Sequence, residues 1–94
     1  MWSGLVTTES GAGSGWHHHG DHDTAIYVVD GSLWLEHGPG GTHVIEAKAG
    51  DFVHVPPGVI HRELNKAEHP SHLIVTRSGE GVPTINVDGP EVLA

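Results

Sequence analysis

Between His17 and Asp23 the chain sets four imidazoles and two carboxylates within seven residues, in the run Trp16-His17-His18-His19-Gly20-Asp21-His22-Asp23. Neutral imidazole nitrogen and carboxylate oxygen are the donors that hold divalent transition metals. About forty residues on, Gly50 is followed by Pro56-Pro57-Gly58 and then His61. A histidine separated from a distant cluster by turn residues suits a metal site built from two β-segments. Taken alone, three adjacent histidines also describe a solvated polar turn; the downstream pattern argues for metal.

Such a site needs strands to carry it. Apolar runs are short and are punctuated by Gly, Pro, Asn and Asp. Strands are predicted over residues 5–8, 25–29, 32–37, 42–47, 52–55, 61–64, 72–77 and 83–87. Residues 11–15, Gly-Ala-Gly-Ser-Gly, read as a flexible turn. Asp30-Gly31 is a hairpin signal, which makes 32–37 the return strand. Pro56 and Pro57 stop the strand at 52–55. Residues 65–71 form a polar loop, and only 64–69 would suit even one helical turn. Seven or eight strands with a turn every eight to ten residues imply an antiparallel sandwich or barrel.

Composition narrows the function. A chain of 94 residues is read as one domain over 1–94, with a workable but thin core. There is no cysteine, which excludes disulfide staples and thiolate ligands. The formal charge is −8, and Lys48, Arg62, Lys66 and Arg77 are the only four fixed cations. Nucleic acid and anionic membrane therefore make poor partners. Ten histidines make the charge pH-sensitive below about pH 6.5. No apolar run reaches membrane-spanning length and no leader pattern stands out, so a cytoplasmic protein is expected. No Gly-rich loop opens a helix, so nucleotide phosphate binding has no support.

The two histidine segments are similar to the two motifs of the cupins. Gly11-x5-His17-x-His19, with an acid shortly after and Gly31 closing the next strand, resembles the first motif imperfectly. Gly50-x5-Pro56-x-Gly58-x2-His61-x3-Asn65 matches the second at every specified position. The resemblance covers residues 11–65 and implies a small single-domain cupin: an all-β, double-stranded β-helix, the jelly-roll barrel.

The resemblance further implies metal ligands at His17, His19, an acid near position 23, and His61. Strand geometry agrees, since His17 and His19 share one face of an extended strand, about 6–7 Å apart, and His18 points away. The acid departs from the family pattern. In the commonest spacing it would fall at Thr24, a poor ligand. Asp23 fits a shorter spacing from His19 but then lies eight residues before Gly31. One extra residue in this strand, a β-bulge, would reconcile the counts. His22 is the alternative to Asp23, and a site of three histidines with open positions is the fallback.

Nitrogen and oxygen donors admit Fe, Mn, Ni, Cu, Zn or Co as the single divalent ion. The leading expectation is a metal-dependent, dioxygenase-like enzyme acting on a small organic molecule. The others are isomerase or lyase chemistry with the metal as Lewis acid, a non-enzymatic metal or small-ligand sensor, and a purely structural barrel. Glu63 or His54 would serve as general base if it faces the pocket; otherwise Arg62 and Glu63 read as a surface ion pair and His54 as a polar residue on one sheet face. Asn65 reads as a strand-end residue. His37, His43, His69 and His72 read as surface residues, and Trp16, Trp34 and Tyr27 as core or subunit-interface residues. Short sheet edges and a thin core favour a homodimer.

Overall fold

The period-two alternation of apolar and polar residues appears as nine strands in a computed structural model that describes residues 1–80 and 84–92. They are β1 (Trp2–Thr8), β2 (His17–His18), β3 (Thr24–Asp30), β4 (Ser32–His37), β5 (His43–Lys48), β6 (Phe52–Val55), β7 (His61–Leu64), β8 (Ser71–Arg77) and β9 (Ile85–Asn86). The first strand begins three residues earlier than expected, and Pro83 of the last expected strand lies outside the described residues. Residues 65–70 are irregular. Among the described residues there is no helix, and so none long and apolar enough to cross a membrane.

Two antiparallel sheets face each other, one of order β1-β8-β3-β6 and one of order β5-β4-β7-β2-β9. The chain passes from one sheet to the other at most connections, which is the double-stranded β-helix. This corrects the expected hairpin at Asp30-Gly31: β3 and β4 belong to different sheets, and the turn carries the chain across the corner. Gly31 has φ +83°, and a Cβ there would stand 2.9 Å from Ser71 Cα, so the corner needs glycine on both counts. The hairpin is instead β4–β5, in register from Ser32↔Lys48 to His37↔His43.

Alternate residues of β3, β4, β6 and β8 point between the sheets. Ile26, Val28, Leu33, Leu35, Ala47, Val53, Val55, Leu73 and Val75 form the buried core. Each of the larger ones contributes roughly 1.5–3 kcal/mol by leaving water. The other face of β1, β8, β3 and β6 carries Leu5, Ile74, Tyr27 and Phe52 in one register row across the sheet. Phe52 is 78% exposed there, with its ring against Tyr27.

Residues 11–15 are not a free turn. Gly11 N–H donates to Asn65 O at 2.8 Å, Asn65 N–H to Ala12 O at 2.9 Å, and Ser14 N–H to Glu63 O at 2.9 Å. Gly13 bridges to Leu64, and a Cβ on Gly13 would lie 2.4 Å from Glu63 O. The small residues let this segment lie flat against β7, and that contact steadies the strand that carries His61.

Candidate metal centre

β2 lies between β7 and β9, and His17 is paired directly with His61 of β7. Period two sends His17 and His19 inward, where they are 6% and 3% exposed. His18 is only half-buried, and its Nδ1 accepts the Gly20 N–H at 3.1 Å. His61 comes from the neighbouring strand of the same sheet and has no exposure at all. The three ring centroids lie 4.3 to 5.0 Å apart, and one ligand-capable nitrogen from each ring falls within 4.8 Å of the other two.

Two of the rings have their tautomer fixed. His17 Nδ1–H donates to Gly15 O at 2.8 Å, and His61 Nδ1–H donates to Val59 O at 2.9 Å. A carbonyl can only accept, so the proton sits on Nδ1 and the lone pair on Nε2. Each ring uses the carbonyl two residues back. An imidazole that donates one N–H to a carbonyl while presenting the other nitrogen is the usual arrangement of a metal-bound histidine. His61 Nε2 is buried and has no hydrogen-bond partner. Leaving such an atom unpaired costs about 1–3 kcal/mol, which a bound ion would remove. Burial, aided by His17, His19 and Arg77 and opposed by the Val59 hydrogen bond, lowers the His61 pKa from 6.5 to about 4. The ring is therefore neutral at physiological pH, the form that binds metal.

The acid expected after the histidine pair stands elsewhere. Asp23 is exposed, its Oδ1 accepts His54 Nε2–H at 2.8 Å, and its N–H donates to Ser78 Oγ at 2.9 Å. His22 directs Nδ1–H at the Ser78 carbonyl. The inward residue of this stretch is Thr24, 1% exposed, whose Oγ1 accepts Arg77 Nε–H at 3.3 Å. The bulge suggested by residue counting is present, since Val28 pairs with Leu73 and Asp30 with His72, leaving Val29 extra. It lies at the far end of β3, however, and leaves Asp23 facing out. The structure thus brings His17, His19 and His61 together and sets Asp23 and His22 outside them.

Glu63 is the residue that sequence reasoning underweighted. Arg62 pairs with Glu36, not with Glu63. Glu63 lies two residues after His61 on the same strand, so it shares the inward face, and its Oε1 is 3.9 Å from His61 Nε2. Together with Arg77, Leu33, Leu73 and Val75 it lines an interior cavity of about 150 Å³. Burial raises its pKa, against the pull of His17 and Arg77. The signal was available: residues 61 and 63 share parity. His54, the other candidate base, lies exposed on the opposite face of its sheet, away from the histidines.

The profile described as Cupin domain matches residues 4–77. No curated protein matches the chain. Among solved structures, an uncharacterized conserved protein with a double-stranded beta-helix domain from Klebsiella pneumoniae is similar with TM-score 0.79 and 19% identity, over 92% of this chain and 73% of that one. The S161A mutant of Bacillus subtilis oxalate decarboxylase gives TM-score 0.76 and 23% identity, over 90% of this chain but 23% of its own. Drosophila melanogaster CENP-C bound to CAL1 gives 0.69 and 18%, over 81% and 63%. At these identities the likeness is one of fold.

Proposed function

This chain belongs to the cupin family, and on that premise we propose that His17, His19 and His61 hold one divalent transition metal at which a small organic molecule is converted, in dioxygenase fashion. The observation that carries the reading is the buried, unpartnered Nε2 of His61, opposite a ring nitrogen fixed by Val59. Bound Fe, Mn, Ni, Cu or Co with open positions would supply redox chemistry with dioxygen, whereas Zn would supply Lewis-acid chemistry of the isomerase or lyase kind. The chain's own part is to hold His61 neutral, to orient His17 and His61 through backbone carbonyls, and to offer a small cavity of mixed apolar and polar lining that Glu63 borders. Its volume, about 150 Å³, suits a molecule of only a few heavy atoms.

The second reading is a binding barrel without turnover. It is favoured by the neighbour solved in complex with CAL1, a case of this fold engaged with a partner. Metal content of the purified chain and dioxygen uptake on a panel of small catechols, flavonols and diketones separate the two. A redox metal with uptake that a chelator abolishes supports the enzyme. Zinc alone with no turnover supports the binding barrel. The same proposal takes the chain as a single domain over 1–94, cytoplasmic, and a homodimer through the row Leu5, Ile74, Tyr27 and Phe52, with light scattering of the full chain as the check on its mass.

A further inference from the structure

We propose that Glu63 supplies the carboxylate of this metal centre, the role that Asp23 leaves vacant; the inference rests on the three-histidine reading above. Ligand atoms sit about 2.0–2.2 Å from a transition ion, so neighbouring ligands on one ion stand roughly 3–4 Å apart. The 3.9 Å between Glu63 Oε1 and His61 Nε2 is already within that range. Glu63 and His61 share the inward face of one strand, so the carboxylate already stands beside the nitrogen that would hold the ion.

The backbone beneath Glu63 is held on both sides. Its N–H donates to Ser14 Oγ at 3.0 Å, and its carbonyl accepts the Ser14 N–H at 2.9 Å. Gly13 allows this close approach. The backbone that carries the carboxylate is thus fixed, and only the side chain has to be ordered on binding. Charge argues in the same direction. Three neutral imidazoles would leave a divalent ion with its full charge at a buried site, where the Arg77 guanidinium already acts on His61. One carboxylate lowers that net charge, and a charge taken out of water is costly unless it is paired. Asp23 offers no comparable route, because it faces outward and is hydrogen-bonded to His54 and Ser78.

The test titrates Co(II) into the full chain stripped of metal, read by calorimetry and by the visible absorption of the bound ion. Glu63→Gln is nearly isosteric and is expected to weaken binding by about tenfold or more and to shift the Co(II) spectrum. Glu63→Asp keeps the charge on a shorter arm and is expected to bind between the two. Asp23→Asn is expected to stay within about twofold of the unsubstituted chain. If the unsubstituted chain takes up no Co(II), or His61→Ala binds it equally well, the three-histidine reading fails and this inference with it. If His61→Ala loses binding while Glu63→Gln keeps both affinity and spectrum, Glu63 alone is overturned. Glu63→Gln that melts lower without metal but leaves the Co(II) spectrum unmoved also overturns it, since that marks a purely structural carboxylate.

Discussion

His61 opens β7 and Asn65 follows its last residue; both are polar and both are buried, at 0% and 1% exposure. They use their polar atoms in opposite ways. Asn65 Nδ2 donates to Thr8 O at 2.9 Å and to His69 O at 2.8 Å, and its Oδ1 accepts the Ala67 N–H at 3.0 Å. It ties the end of β1 to the loop after β7. His61 spends one nitrogen on Val59 and leaves the other buried with nothing to bond. Buried polar groups are normally satisfied, so burial alone marks structure and the unsatisfied atom marks the place for a ligand. The second motif therefore contains one residue with a buried nitrogen left unbonded and one whose polar atoms all serve the fold, four positions apart.

Removing the imidazole attacks the binding half of that contrast and has the largest expected effect. Structural zinc sites of four ligands bind with about 10–16 kcal/mol, or roughly 2.5–4 kcal/mol per ligand. His61→Ala should thus weaken metal binding on the order of a hundredfold or more. Elemental analysis after dialysis measures it, and occupancy equal to that of the unsubstituted chain would place the metal elsewhere.

Acid probes the same atom without a mutation. In the folded, metal-free chain His61 titrates at about 4, and in the unfolded chain near 6.5. Between these values the unfolded state holds more protons, so stability is full above about pH 6.5, falls as the pH drops towards 4, and loses nothing further from this group below that. The total is about 3 kcal/mol. Urea unfolding from pH 7 to 4, compared with His61→Gln, isolates it. Equal pH dependence in both chains would mean that His61 is not held neutral by the fold.

Asn65→Ala attacks the folding half. It leaves two carbonyls and one N–H without partners, at a cost of about 2–3 kcal/mol. Thermal unfolding should fall on the order of 10–20 °C. Metal affinity of the folded fraction should stay unchanged; a parallel loss of affinity would erase the distinction between the two residues.

How much of this was legible follows the kind of signal each residue carried. Parity on an extended strand separated His17 and His19 from His18, and the Pro-x-Gly turn pointed His61 to a second strand. Strand bounds at 32–37, 52–55 and 61–64 match the structure because alternation and prolines delimit them locally. The passage at Asp30-Gly31 was misread because a turn dipeptide shows that the chain reverses, not which sheet receives it. The fit of residues 11–15 against β7 is a long-range contact with no local pattern. Glu63 had the right parity but stood beside Arg62, whose charge offered a simpler partner; only the fold shows that Arg62 goes to Glu36. Counting residues to the acid could show that a bulge was needed but not that it would fall at Val29, downstream of the position in question.

The smallest effect is expected where the same two residue types meet in water. Asp23 and His54 form an imidazole–carboxylate contact of 2.8 Å with both side chains mostly exposed. Exposed pairs of this kind contribute about 0–1 kcal/mol, because water solvates either partner well once the other is gone. A double-mutant cycle of Asp23→Asn and His54→Ala should return a coupling below about 0.5 kcal/mol in urea unfolding. Within the barrel an imidazole nitrogen without a partner is costly, whereas on this sheet face the solvent supplies one. A coupling well above that bound, or one that appears only when metal is present, would mean that Asp23 and the buried histidines respond to the same ion, and the separation between surface and interior drawn from Thr24 facing inward would not hold.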